Sequence, residues 1–133
     1  MKIISRIESL RALEHEATVA LITALVECDR DQAHITLGYS SMWDFLTRHL
    51  HYSNAAASRR YKAMKCAKKF PAVLDMLRKH ETNLSSLAAA EATLMRASNA
   101  DELLGRIAKK SQAQVERELA RENPQPKDRK SVV

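Results

Sequence analysis

The chain has 133 residues, of which 45% are hydrophobic, 29% charged and 5% aromatic, with a formal net charge of +6. That length is one ordinary domain, or one domain with a tail, and it holds a core without staples. Two glycines and three prolines are too few for a turn-dense all-β fold or a glycine-rich phosphate loop. Ala, Leu, Glu, Lys and Arg dominate and are the strong helix formers. The expected fold is therefore all-α: a long N-terminal helix, a helix-turn-helix-like core and several short C-terminal helices.

Residues 3–35 read as one helix, because Ile3, Ile7, Leu10, Leu13 or Ala17, Leu21, Ala24 or Leu25, and Cys28 recur at spacings of three and four. A helix that long cannot be fully buried in so small a domain, so part of it protrudes or pairs with another chain. Gly38 suits a positive φ where the helix stops. Ser40 or Ser41 then caps a short helix reaching Leu50, with Ser41 and Asp44 as a shortened capping box and Met42, Trp43, Phe45, Leu46 and Leu50 as apolar surface. His51, Tyr52 and Ser53 make a tight turn, and Ser53 caps a helix over 54–69. Pro71 fits the first turn of a helix over 71–80, where its missing N–H costs nothing. Ser85 or Ser86 caps an Ala-rich helix to about Ala97. Asn99 or Ser98 caps a helix over 100–109, and Ser111 one over 112–122. One helical domain thus spans 1–122, with the helix-turn-helix-like unit at 40–70. The polar segment 123–133, with two prolines, reads as a disordered tail or linker.

The charge is concentrated. Residues 1–57 are net −2, residues 58–80 net +7 and residues 81–133 net +1. A block that dense points to an anionic partner more than to general solubility. At 100° per residue, Ala56, Ala63, Ala67 and Phe70, flanked by Met64, form the packing face of helix 54–69. Asn54, Ser58, Tyr61, Lys62, Lys65, Lys68 and Lys69 lie opposite. Asn and Lys can bond base edges, and Ser, Tyr and Lys can hold phosphates. Ala55 to Ala57 keep the first turn slim enough for a groove about 12 Å wide. Arg59 and Arg60 lie at the margins, suited to phosphates, with pairing to Asp44 a second role for Arg60. Arg78 and Lys79 extend the basic surface. The competing reading is a solvated helix face that binds nothing.

Residues 37–87 also resemble the N-terminal region of a group of bacterial HNH endonucleases. The resemblance rests on Leu37 to Leu46 (LGYSSMWDFL), His51 to Arg60 (HYSNAAASRR), Phe70-Pro71 and Asn83 to Leu87 (NLSSL), with Ser111 to Leu119 (SQAQVEREL) matching a later segment. It implies a helical, helix-turn-helix-like, DNA-associated module that a nuclease domain follows. His51 stands where the family has glycine. The HNH arrangement of His base, metal-binding His or Asp and CxxC pairs has no counterpart in this sequence.

Other chemistry finds little support. Cys28 and Cys66 cannot build a disulfide framework or a zinc site and read as buried free thiols. Cys66 with His80 has no orienting third group, and His49 with His51 has no third ligand. His15 reads as a surface partner of Glu16. Trp43 and Phe45 read as core anchors, and Met42, Met64, Met76 and Met95 as core filler. The N-terminus lacks a signal-peptide h-region, and the longest near-apolar run, 17–26, is too short to span a bilayer. The expectation is a cytoplasmic, nucleoid-associated, double-stranded-DNA-binding protein without catalytic residues, metal or cofactor, with a homodimer surface on the long helix. The alternatives are the targeting module of a nuclease, or a helical module whose basic face meets an acidic protein.

Overall fold

The computed structural model describes residues 1–122, and the tail expected over 123–133 lies outside them. The chain folds into α1 (Lys2–Asp31), α2 (Ala33–Leu37), α3 (Met42–Asp44) running on into a π-helical turn (Phe45–His49), α4 (Asn54–Lys69), α5 (Ala72–Arg78), α6 (Leu84–Arg96), α7 (Ala100–Ile107) and α8 (Gln112–Glu122). Among the described residues there is no strand, and no helix is long and apolar enough to cross a membrane.

The order of packing is α5 on α1, α1 on α4, α4 on α6, and α6 on α8, with α7 closing the end between α6 and α8. Each interface follows from a stripe of aliphatic or small side chains. Ile22, Leu25 and Val26 of α1 meet Ala63, Met64 and Ala67 of α4 in one continuous core. Leu87, Ala90 and Leu94 of α6, Leu103 and Ile107 of α7, and Val115 of α8 complete it, all essentially without exposure. Alanines on the two central helices let their backbones approach closely, which is why Ala57, Ala63 and Ala90 are fully buried.

The long helix expected over 3–35 breaks at Gln32. Gln32 takes a left-handed conformation (φ 57°), its backbone N–H turns back to the Cys28 and Asp29 carbonyls, and its side-chain amide donates to the Asp29 carbonyl at 2.6 Å. The break lets α2 fold under and bury His34, which sits 3.7 Å from the Cys28 sulfur. Cys28 is consequently half-buried, short of the full burial expected.

Upstream, α1 outruns its support. Its first buried residue is Val19. Ile3, Ile4, Ile7, Leu10 and Leu13 are all 50–59% exposed. The second half of the same outward side is lined by exposed Ala17, Ala20 and Ala24.

The remaining boundaries differ from expectation for local reasons. Asn83, and not Ser85 or Ser86, caps α6, accepting a bond from the Ser86 N–H at 2.9 Å; an amide reaches that donor while Ser86 stays free to pack. Asn99 begins α7 without a side-chain cap. Ser111 caps α8 through the Gln114 N–H at 3.2 Å, and the Gln114 side chain accepts from the Ser111 N–H at 2.9 Å, a complete capping box. Trp43 is not a core anchor: it is 36% exposed, and Met42 and Leu46 take the interior positions of that segment. Met64 and Met76 are buried and Met95 is half-buried against the core.

Candidate nucleic-acid interface

Two capped helices and a tight turn position the basic block. Ser41 accepts the Asp44 N–H at 3.0 Å, and Ser40 donates its hydroxyl to the Asp44 carboxylate. The helix then widens: the Leu50 N–H reaches the Phe45 carbonyl five residues back, at 3.1 Å. That turn stacks the Phe45 and His49 rings with centroids 5.1 Å apart and brings His49 Nδ1 to 2.9 Å from the Tyr39 hydroxyl. His51 next adopts φ 63°, the left-handed conformation for which glycine is the cheapest residue. Ser53 closes the turn by accepting the Ala56 N–H at 3.2 Å, and α4 runs over the expected 54–69.

α4 is packed on two sides, so its buried arc is wider than the expected stripe. Ala57, Ala63, Met64, Cys66 and Ala67 are interior, whereas Ala56 and Phe70 are half-buried. The two-sided packing divides the basic residues into two sets.

The C-terminal set is engaged internally. Lys65 pairs with Glu91 of α6 at 3.2 Å and lies 5.0 Å over the Tyr61 ring. Lys68 pairs with Asp29 at the end of α1 at 2.6 Å. Lys69 donates to the Met95 carbonyl at 3.0 Å and lies over Phe70. These three lysines, Tyr61 and Met64 floor a groove of about 370 Å³ walled by Asp29 and Met95. Arg78 pairs with Asp75 within α5 and lines a separate groove along α1. Arg60 does not pair with Asp44. Its guanidinium lies 4.4 Å over the Tyr52 ring and donates to the Ala56 carbonyl at 3.0 Å, and its buried Nε has no partner among the described residues.

The N-terminal set is free. Asn54 is exposed, Ser58, Arg59 and Lys62 are half-buried, and Lys79 is exposed just past the end of α5. Among the described residues none of these five side chains makes an ion pair or a side-chain hydrogen bond. Asn54, Ser58 and Lys62 stand four residues apart and so line one solvent-facing stripe, with Arg59 beside them.

The acidic partners were not anticipated, although a signal for Glu91 exists. It shares a helical stripe with Leu84, Leu87 and Leu94 and is only 8% exposed, and a carboxylate on such a stripe is paired or it is costly. Asp29 likewise continues the Ile22, Leu25 and Val26 face of α1. Cys66 beside them is fully buried, its S–H donating to the Leu87 carbonyl at 3.8 Å. Burial, aided by the Glu91 carboxylate and partly offset by Lys65, pushes its thiol up to about 12. His15 does not pair with Glu16; it stacks on His80 with ring centroids 3.8 Å apart. Among the described residues no three His, Cys, Asp or Glu side chains gather as a metal site. No protein-family model, curated protein or solved structure matches the chain.

Proposed function

We propose that this chain is a DNA-binding helical protein that docks on the duplex through the N-terminal half of α4, by binding and without a reaction of its own. The observation that carries the reading is the unengaged stripe Asn54, Ser58 and Lys62, with Arg59 at its side, starting at a Ser-capped helix end behind a tight turn. A helix entering the major groove reads bases with its first turns and holds phosphates with its margins, and the three alanines after Asn54 keep that end slim. The footprint is narrower than the whole basic block. Lys65, Lys68 and Lys69 are tied to Glu91, Asp29 and Met95, so they add to the local positive potential and make few contacts of their own. The resemblance of residues 37–87 to the N-terminal region of HNH endonucleases supports the same reading, whether the module acts alone or targets a nuclease.

The test is fluorescence anisotropy of a mixed-sequence DNA duplex, titrated from about 50 to about 200 mM salt, a range over which phosphate contacts dominate the change in affinity. Binding is expected to weaken steeply with salt. Lys62→Ala should flatten the log–log slope by about one unit without loss of helix content, the signature of one phosphate contact removed. An RNA duplex should compete poorly, because its deep major groove does not admit a helix. No binding at the lowest salt overturns the proposal and leaves the basic face to an acidic protein partner.

A further inference from the structure

We infer that a second copy of this chain covers the outward face of α1, and that the two α1 helices pair antiparallel. The unsupported face has a repeat of seven. Ile3, Leu10, Ala17 and Ala24 form its centre line, flanked by Ile7 on one side and by Leu13 and Ala20 on the other, while Leu21 is half-buried against the core. A strict seven-residue repeat drifts by about 20° per heptad around a straight helix, so two such faces stay in register by supercoiling left-handed. The interior face of α1, built on Val19, Ile22, Leu25 and Val26, points elsewhere and leaves this line uncovered. Ile3, Leu10 and Leu13 are more than half exposed on it.

Two asymmetries choose the occupant and its direction. The first is size. The large side chains lie in the first half of the helix and the alanines in the second, beside a groove of about 630 Å³ lined by Ala20, Thr23, Ala24 and Glu27. The second is charge: residues 2–13 are net +2 through Lys2, Arg6 and Arg11 against Glu8, whereas residues 14–31 are net −4. Parallel pairing sets large on large, alanine on alanine and like charge on like charge. Antiparallel pairing, with Ile3 over the partner's Ala24, sets Leu10 on the partner's Ala17 and Lys2 beside its Glu27. A helix of 30 residues is about 45 Å long, and residues 2–25 of it lie opposite one another in that register. Each half of α1 is thus the size and charge complement of the other half, which is what an isologous two-fold contact requires.

The experiment is sedimentation velocity of the full chain over a range of concentrations, without nucleic acid. Wild type should sediment as a species of twice the 15.0 kDa chain mass. Leu10→Glu should return it to one chain mass with unchanged circular dichroism, since Leu10 supports nothing in the monomer. Orientation is read in a Cys28→Ser background. An equimolar mixture of Leu10→Cys and Ala17→Cys chains should oxidise to the mixed disulfide, while Leu10→Cys alone should cross-link poorly. A wild-type monomer at every concentration overturns the inference and leaves the face to a different partner. So does a dimer unaffected by Leu10→Glu, or efficient cross-linking of Leu10→Cys to itself.

Discussion

Cys66 was legible from the sequence as a small buried residue, because it stands on the edge of an alanine face; what surrounds it was not. In the fold it lies between α4 and α6, with the Glu91 carboxylate and Lys65 as its charged neighbours. Its folded-state pKa is raised from 9.0 to about 12. Below pH 9 both folded and unfolded chains keep the proton and the group contributes nothing to the pH dependence. Between about 9 and 12 the unfolded chain releases it and the folded chain does not, so stability falls as pH rises. Urea titrations at pH 8 and pH 10 should therefore show a larger alkaline loss for wild type than for Cys66→Ala, the difference cancelling the shared lysine titration. The same burial predicts that a thiol reagent at pH 8 labels Cys28 in the native protein and reaches Cys66 only in denaturant. Rapid labelling of both thiols would show that α4 and α6 separate readily.

At the scale of elements, the sequence signals that worked were local ones. Ser41, Ser53 and Ser111 cap the helices expected of them, and Gly38 takes its positive φ of 115°. The failures have tertiary causes. Gln32 ends α1 because burying His34 rewards a turn that no local propensity demands, and the π turn at Phe45–His49 buries Leu46 at the expense of Trp43. The lysine pairings were beyond reach for a related reason: helical periodicity places Lys65 and Lys68 on an outward arc, but it cannot say that α6 and the end of α1 flank that arc. His51 offers a test of the turn itself. It is exposed, makes no side-chain hydrogen bond among the described residues, and holds φ 63°, a conformation that costs a non-glycine residue about 1 kcal/mol or more. His51→Gly relieves that strain and gives part of it back as unfolded-state entropy, for a net gain of about 0.5 kcal/mol in urea unfolding. A loss of stability would mean that the imidazole supports the turn in a way its exposure conceals.

The described residues divide into a packed body, whose buried core begins at Val19, and a projecting helical arm, and the DNA-binding stripe depends on that body behaving as one unit. α6 is its hub, touching α4 on one side and α7 and α8 on the other, and the Lys109 N–H adds a bond to the Glu81 carbonyl in the turn before it. Leu94 is fully buried at that hub. Leu94→Ala removes a buried isopropyl group and leaves a cavity, a loss of about 2–5 kcal/mol against a total of about 5–15 for a typical domain. Two probes, one local and one global, can report on it. Trp43, the one tryptophan, lies on α3 and makes its fluorescence sensitive to that corner, while far-ultraviolet circular dichroism follows all the helices. If the layers α1, α4, α6 and α8 unfold together, both urea transitions move to lower denaturant by the same amount in Leu94→Ala and stay superimposed, because loss at the hub is felt equally at the corner. A Trp43 transition that stays in place while the circular dichroism shifts would show that α6–α8 opens separately. The stripe on α4 would then rest on α1, α5 and the α3 corner, and Lys65 would lose Glu91 before α4 itself unfolds.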